Sequence, residues 1–246
     1  MNEKPILFST EMVKAILDGR KTQTRRVIPR AGGDCLGYIT DRDAYWFELD
    51  LRTAANGPET SIEAKCPYGR PGDLLWVRET WKPGAWRDDG RIAIDYKASP
   101  ELTKTPWLTI PEEYPGKQFD ELWEQWTNEL RDMGWFPDKN GVYQWESGQS
   151  PLKWRPSIFM PRWASRITLR MTDVWVERVQ EISEADVQRE GWFFQNHDLS
   201  KRYDPVTMDT ARQWFAELWD SVNAKRGFSW DSNPWVWVVE FEKVKK

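Results

Sequence analysis

The chain opens on a short apolar run, and its pattern predicts a strand over Lys4 to Phe8. Ser9 then stands where a helix cap belongs, and Glu11 falls in the first turn, where the helix dipole favours an acid. Met12, Val13, Ile16 and Leu17 recur on one helical face, and Gly19 is the expected stop. From Arg20 to Ile28 the chain reads as a second extended stretch, closed by Pro29. Residues 31–67 mix apolar and polar positions with Gly, Asp and Pro punctuation. A turn at Pro71-Gly72-Asp73 then leads into a strand at Leu74-Leu75-Trp76-Val77.

The text changes from Lys82 to about Lys153, where Trp, Pro, Gly and acidic residues crowd together. A hairpin is expected at Arg91 to Lys97 and a short helix at Phe119 to Leu130. This stretch reads as an insertion or lid. Regular patterning resumes after Ser165. Ile167, Leu169 and Met171 alternate as a half-buried strand does, and Val174, Val176 and Arg178 extend it. Ser183 starts a short helix with Ile182 and Val187 placed as a hydrophobic staple; Glu190 ends it and Gly191 stops it. Asp209 to Ala224 is the strongest helix, with Trp214, Phe215, Leu218, Trp219 and Val222 on its apolar face. The last element is a strand, Trp235 to Phe241, whose core face is expected to carry Trp235, Trp237, Val239 and Phe241. Short strands in a mostly β order, with helices at two joints, predict an α+β fold: a small β-barrel with helices packed on it, in a single domain over residues 1–246 interrupted by the insertion at 82–153.

Composition narrows the function. Eighteen Trp among 246 residues is a heavy aromatic load, most of it core and some of it available to stack bases. A net charge of -4 argues against a protein that coats nucleic acid through a general basic surface. Even so, Arg20, Lys21, Arg25, Arg26 and Arg30 fall in one short stretch, while Glu112, Glu113, Asp120, Glu121 and Glu124 concentrate acid in the insertion. The single histidine, His197, sits in a polar stretch and is expected on an exposed loop. That disfavours serine triads, Cys-His pairs and His-rich metal sites. Two cysteines, Cys35 and Cys66, are too few for a structural zinc site and fit a reducing compartment. No metal or cofactor is expected. Neither a signal peptide nor a membrane-spanning run is visible, so the cytoplasm is the expected location.

The candidate chemistry lies in Gly19-Arg20-Lys21-Thr22-Gln23-Thr24-Arg25-Arg26. On a strand Thr24 and Arg26 share a face while Gln23 and Arg25 point the other way. Lys21, in the preceding turn, is expected to fold over the Thr24 face. Gly19-x-Lys21-x-x-Thr24-x-Arg26 after a short amphipathic helix resembles the signature of the ASCH domain, a PUA-like β-barrel family. Threonine at position 24 is similar to the bacterial N4-acetylcytidine amidohydrolase subgroup. The turn and strand at 71–77, the helix Ile182 to Glu190 and the closing strand Trp235 to Phe241 resemble family segments in the same order, over about half the chain. The long form, with its Trp-rich insertion and Met160-Pro161-Arg162-Trp163-Ala164-Ser165-Arg166, resembles phage or prophage versions.

The resemblance implies Lys21, Thr24 and Glu190 as a catalytic set acting on an acylated nucleoside. Two schemes follow. In one, Lys21 takes the Thr24 proton and the hydroxyl attacks the acyl carbon. In the other, Glu190 activates water, and Lys21 and Arg26 stabilise the oxyanion. Arg26, Arg78, Glu79 and Trp81 are the candidate substrate contacts, with Glu79 a reserve acid and Trp81 a base platform. The same cleft also fits a non-catalytic RNA- or modified-base-binding module, or a metal-independent ribonuclease. The acidic insertion suits a host protein partner.

Overall fold

The computed structural model describes residues 2–29, 36–38, 46–51, 60–87, 90–99, 107–110, 119–146, 148–192 and 208–244. His197, Cys35, Arg30, Glu112 and Glu113 lie outside them. The elements in order are β1 (Glu3–Leu7), α1 (Thr10–Leu17), β2 (Gln23–Val27), β3 (Leu36–Tyr38), β4 (Trp46–Leu51), β5 (Thr60–Lys65), β6 (Leu74–Arg78), β7 (Trp81–Trp86), β8 (Arg91–Tyr96), β9 (Leu108–Thr109), α2 (Phe119–Asp132), β10 (Thr168–Arg178), α3 (Glu184–Arg189), α4 (Met208–Asn223) and β11 (Trp235–Lys243). The fold is α+β. The largest sheet has the order β1-β6-β10-β11-β2, and two three-stranded sheets run β3-β4-β5 and β7-β8-β9. Among the described residues no sheet closes into a barrel: β1 and β2 are the edges of the five-stranded sheet. No described helix is long and apolar enough to cross a membrane.

The chain divides into two compact units. The first comprises Met1–Lys4, Ala15–Leu75 and Thr168–Lys246. Here β10 and β11 pair antiparallel from Leu169↔Lys243 to Arg178↔Trp235, with a bulge between Met171 and Asp173. β11 also pairs antiparallel with β2, from Val236↔Val27 to Glu240↔Gln23. α4 lays Ala211, Phe215 and Trp219 against Val236 and Val238 of β11, and Val187 of α3, Val179, Ile182 and Trp192 complete that core.

β11 departs from the expected alternation. Val236 and Val238 face α4, while Trp237, Val239 and Phe241, one pleat over, are buried as well. A strand covered on both faces has no polar side to show, which is why Trp-Val-Trp-Val-Val runs apolar without a break.

The second unit comprises Pro5–Lys14 and Trp76–Ile167, and contains the stretch 82–153. Ile92, Ile94 and Tyr96 alternate along β8 and meet Trp81, Trp126 and Leu130 of α2, Leu152, Met160 and Ala164 in a core of their own. The hairpin is β7 turning into β8 between Arg87 and Arg91, whose backbones are hydrogen-bonded, and not a turn within 91–97. Gly84 sits at a bulge in β7. A Cβ there would lie 2.3 Å from Oδ1 of the buried Asp95, so the strand can pass that carboxylate only without a side chain.

Phe215 is the middle of the α4 face. Phe215→Ala should cost about 3–5 kcal/mol, the usual range for emptying a buried aromatic site, read as a lowered urea midpoint at unchanged m-value.

Candidate functional site

The site is built by two helix ends. α1 stops at Gly19, whose φ of +75° turns the chain, and the amides of Arg20 and Lys21 both donate to the Ala15 carbonyl. This closes the helix and delivers Lys21 to the start of β2. α3 starts at Ser183, which forms a capping box with Asp186: the Asp186 amide donates to Ser183 Oγ, and the Ser183 amide donates back to the Asp186 carboxylate. It ends at Glu190, and Gly191 follows with φ +102°. A Cβ on Gly191 would stand 3.0 Å from the Ala15 Cβ and 3.3 Å from the Lys21 Cβ. The two helix ends therefore touch where one has no side chain. Lys21 and Glu190 form an antiparallel β-bridge, and the Thr22 amide donates to the Arg189 carbonyl at 2.9 Å.

That backbone contact sets the side chains on each other. Lys21 Nζ donates to Glu190 Oε2 at 2.5 Å and to the Glu190 carbonyl at 2.9 Å. The other carboxylate oxygen, Oε1, accepts from Arg25 Nη1 at 3.1 Å. Arg25 also donates to Gln23 Oε1 at 2.8 Å and, through Nε, to Glu177 Oε1 at 2.8 Å. Trp175 Nε1 holds the second Glu177 oxygen at 2.9 Å. Asp186 Oδ2 lies 3.6 Å from Arg25 Nη2. The result is an ionic network of two cations and three carboxylates drawn from β2 and the residues just before it, from β10 and from α3 and its end.

Burial governs its electrostatics. Lys21 is 2% exposed and Glu190 4% exposed. Loss of water pushes the Lys21 amine below its ordinary value; the Glu190 carboxylate opposes that shift, and the charges of Arg26 and Arg25 reinforce it. Burial alone would raise the Asp186 carboxyl, but hydrogen bonds from Ser183 and the Arg25 charge outweigh it and hold the group below its usual range.

The predicted site residues divide in three. Lys21 and Glu190, 169 positions apart, are brought into direct contact. Thr24 is 1% exposed, and its hydroxyl makes no hydrogen bond among the described residues. It lies between Gln23 and Arg25 on β2, opposite Val239, so the pleat turns it to the face away from the guanidinium that reaches Glu190. Arg26 shares that face, opposite Trp237, with Nη1 donating to the Arg25 carbonyl.

Arg78, Glu79 and Trp81 belong to the second unit. Arg78 stacks on Trp76 at 4.7 Å. Glu79 is buried and takes a two-pronged salt bridge from Arg166, at 2.8 and 2.9 Å; desolvation raises its carboxyl although Arg166 pulls the other way. Trp81 is packed in that unit's core, edge-on to Trp163.

Arg25, Glu177 and Asp186 are members of the network that motif reading did not select. The available signal was the shared pleat of Gln23 and Arg25, together with a glutamate next to the buried Val176 on a core strand. No group of three His, Cys, Asp or Glu side chains among the described residues is placed to hold a metal ion. No protein-family model, curated protein or solved structure matches the chain.

Two outcomes follow. Glu190→Ala leaves two buried cations facing each other and should cost about 3–5 kcal/mol, measured by urea unfolding. For Lys21, a folded pKa below the ordinary 10.5 means that the unfolded chain binds the extra proton between those two values. Stability therefore rises with pH through that window. The stability of wild type relative to Lys21→Met should climb as pH rises toward 10.5, seen as diverging urea midpoints.

Proposed function

We propose that this is an ASCH-type protein of the PUA-like class, and that it hydrolyses the amide of an N4-acylated cytosine nucleoside, N4-acetylcytidine or a close relative. The observation that carries this reading is the buried contact between Lys21 Nζ and Glu190 Oε2. The motif and the α3 helix supply the two groups from opposite ends of the chain, in a pocket of protein where an amine is pushed toward its neutral form. The unbonded, buried Thr24 hydroxyl three residues on supports it further.

In this reaction neutral Lys21 accepts the Thr24 proton as Oγ attacks the acyl carbon. The C–N4 bond then breaks, the leaving amine takes the proton back from Lys21, and cytidine departs. Water hydrolyses the threonyl ester and releases the carboxylic acid. Glu190 holds the amine in place and shares its proton, and Arg25 keeps Glu190 from swinging away. Thr24 lies on the face of β2 opposite Arg25, so its attack requires the Lys21-to-Thr24 segment to rearrange as the substrate is seated; without that movement Glu190 activates water and Lys21 stabilises the oxyanion.

A second reading, a modified-base-binding module without turnover, is favoured by one observation. Both Glu190 oxygens are already satisfied by cations, as they are in a structural clamp.

The test is release of cytidine and acetate from N4-acetylcytidine by the purified protein. Lys21→Met and Thr24→Val should each lower kcat/KM by on the order of a hundredfold or more, the scale of a lost proton carrier or nucleophile, with near-native melting for Thr24→Val. Full activity in Thr24→Val would move the reaction to the water mechanism. Saturable binding with no product would establish the second reading.

A further inference from the structure

The second unit holds a cleft that the chemistry above does not use. Its volume is about 510 Å³, within the range of small-molecule sites. Trp86, Trp123, Tyr143 and Trp145 provide its aromatic surface, with Arg87 and Gln144 as polar neighbours. The rings are fixed from behind. Trp86 packs on the core residue Trp126 at 5.4 Å and on Trp145 at 5.6 Å. The Trp145 indole N–H donates to the Gly84 carbonyl, at the bulge that Asp95 requires. Trp135 stands edge-on to Trp145, with centroids 6.4 Å apart.

The loop that carries Tyr143 and Gln144 is equally set. Asp138 accepts from the amides of Asn140 and Val142 and from Gln144 Nε2. The Gln144 amide is thereby oriented and leaves its oxygen as the acceptor on that wall. Trp123 is different, projecting from α2 with 45% of its surface exposed.

The polar residues select the ligand. The described lining contains no carboxylate, so the cleft lacks the counter-charge that an aromatic cage for a quaternary ammonium commonly uses. A sugar ring needs several directional partners for its hydroxyls. The Tyr143 hydroxyl is buried and unpartnered, leaving one guanidinium and one amide. Those two suit a planar ring with an exocyclic amine and an attached anion. Indole faces stack any base, a guanidinium binds phosphate, and an amide oxygen accepts from an exocyclic amine.

We infer that this cleft is a nucleotide-binding site, in which the base stacks on Trp123 and Trp145 and the phosphate meets Arg87. It is independent of Lys21 and goes beyond the hydrolytic reading. The nucleotide is either free or one residue of a single strand.

The full-length protein is titrated with CMP and AMP by calorimetry, and with a fluorescein-labelled single-stranded oligonucleotide and its abasic counterpart by anisotropy. The expected result is saturable binding that falls about tenfold in Trp123→Ala, the effect of losing one stacked base. Binding of the abasic strand should be weaker. Arg87→Gln should weaken binding and reduce the salt slope by about 1, as loss of one phosphate contact does. Lys21→Met should bind like wild type here, so failure of the hydrolytic reading and failure of this one are distinguishable. Trp123 is exposed, so an unchanged melting temperature is expected for its variant.

Binding by mononucleotides as well as oligonucleotides identifies a free-nucleotide site, and binding by oligonucleotides alone identifies a strand site. The inference is overturned by no detectable binding of either up to about 1 mM, by Trp123→Ala binding as wild type does, or by the abasic strand binding as tightly as the intact one.

Discussion

An ammonium group without water must find its charge partners in the protein, and the first unit is organised around that requirement at Lys21. Its nitrogen is enclosed, and the carboxylate that answers it comes from a helix end 169 positions later. Neither group can be placed without the other. Gly19 must end α1 so that Lys21 enters β2, and Gly191 must let α3 close down on Ala15. Arg25 then takes the second oxygen of Glu190 and spreads its own charge over Glu177 and Asp186. An isolated buried ion pair is often no better than apolar packing of the same volume. Sharing each charge among several hydrogen-bonded partners offsets the desolvation and fixes the geometry at once. The same enclosure lowers the proton affinity of the amine, which links the packing of two helix ends to the chemistry proposed for them.

Much of this was legible where a local rule decides the outcome. The Gly19 stop and the Ser183 cap are each set by a few neighbouring residues, and α1 ends and α3 begins where those residues place them. α4 follows its apolar stripe, and Phe215 and Trp219 lie in the core as their spacing implies. The Lys21–Glu190 contact was legible only through resemblance, because no local rule joins positions 169 apart.

What was not legible depends on partners distant in sequence. β11 reads as alternating only if one face is wet, and α4 covers that second face. Arg25 looks like one of several surface cations until Glu177 and Glu190 arrive from β10 and the end of α3. The pleat of β2 separates Thr24 from Arg25 as expected, but Lys21, expected over the Thr24 face, instead joins the carboxylate that Arg25 holds, because Glu190 arrives on that side. In the second unit, the crowded tryptophans pack a core through Trp81 and Trp126 and line a cleft through Trp86, Trp123 and Trp145. Composition alone does not separate those two fates.

The position of β2 at the rim of its sheet has a further consequence. A border strand offers unpaired amides and carbonyls to any passing chain, a standing invitation to fibril growth. Here the Lys21–Glu190 bridge and the Thr22-to-Arg189 hydrogen bond occupy the approach to that border with a turn too short to propagate a ladder. The residues proposed for chemistry thus also act as a selvedge, finishing that corner of the sheet with a single bridge.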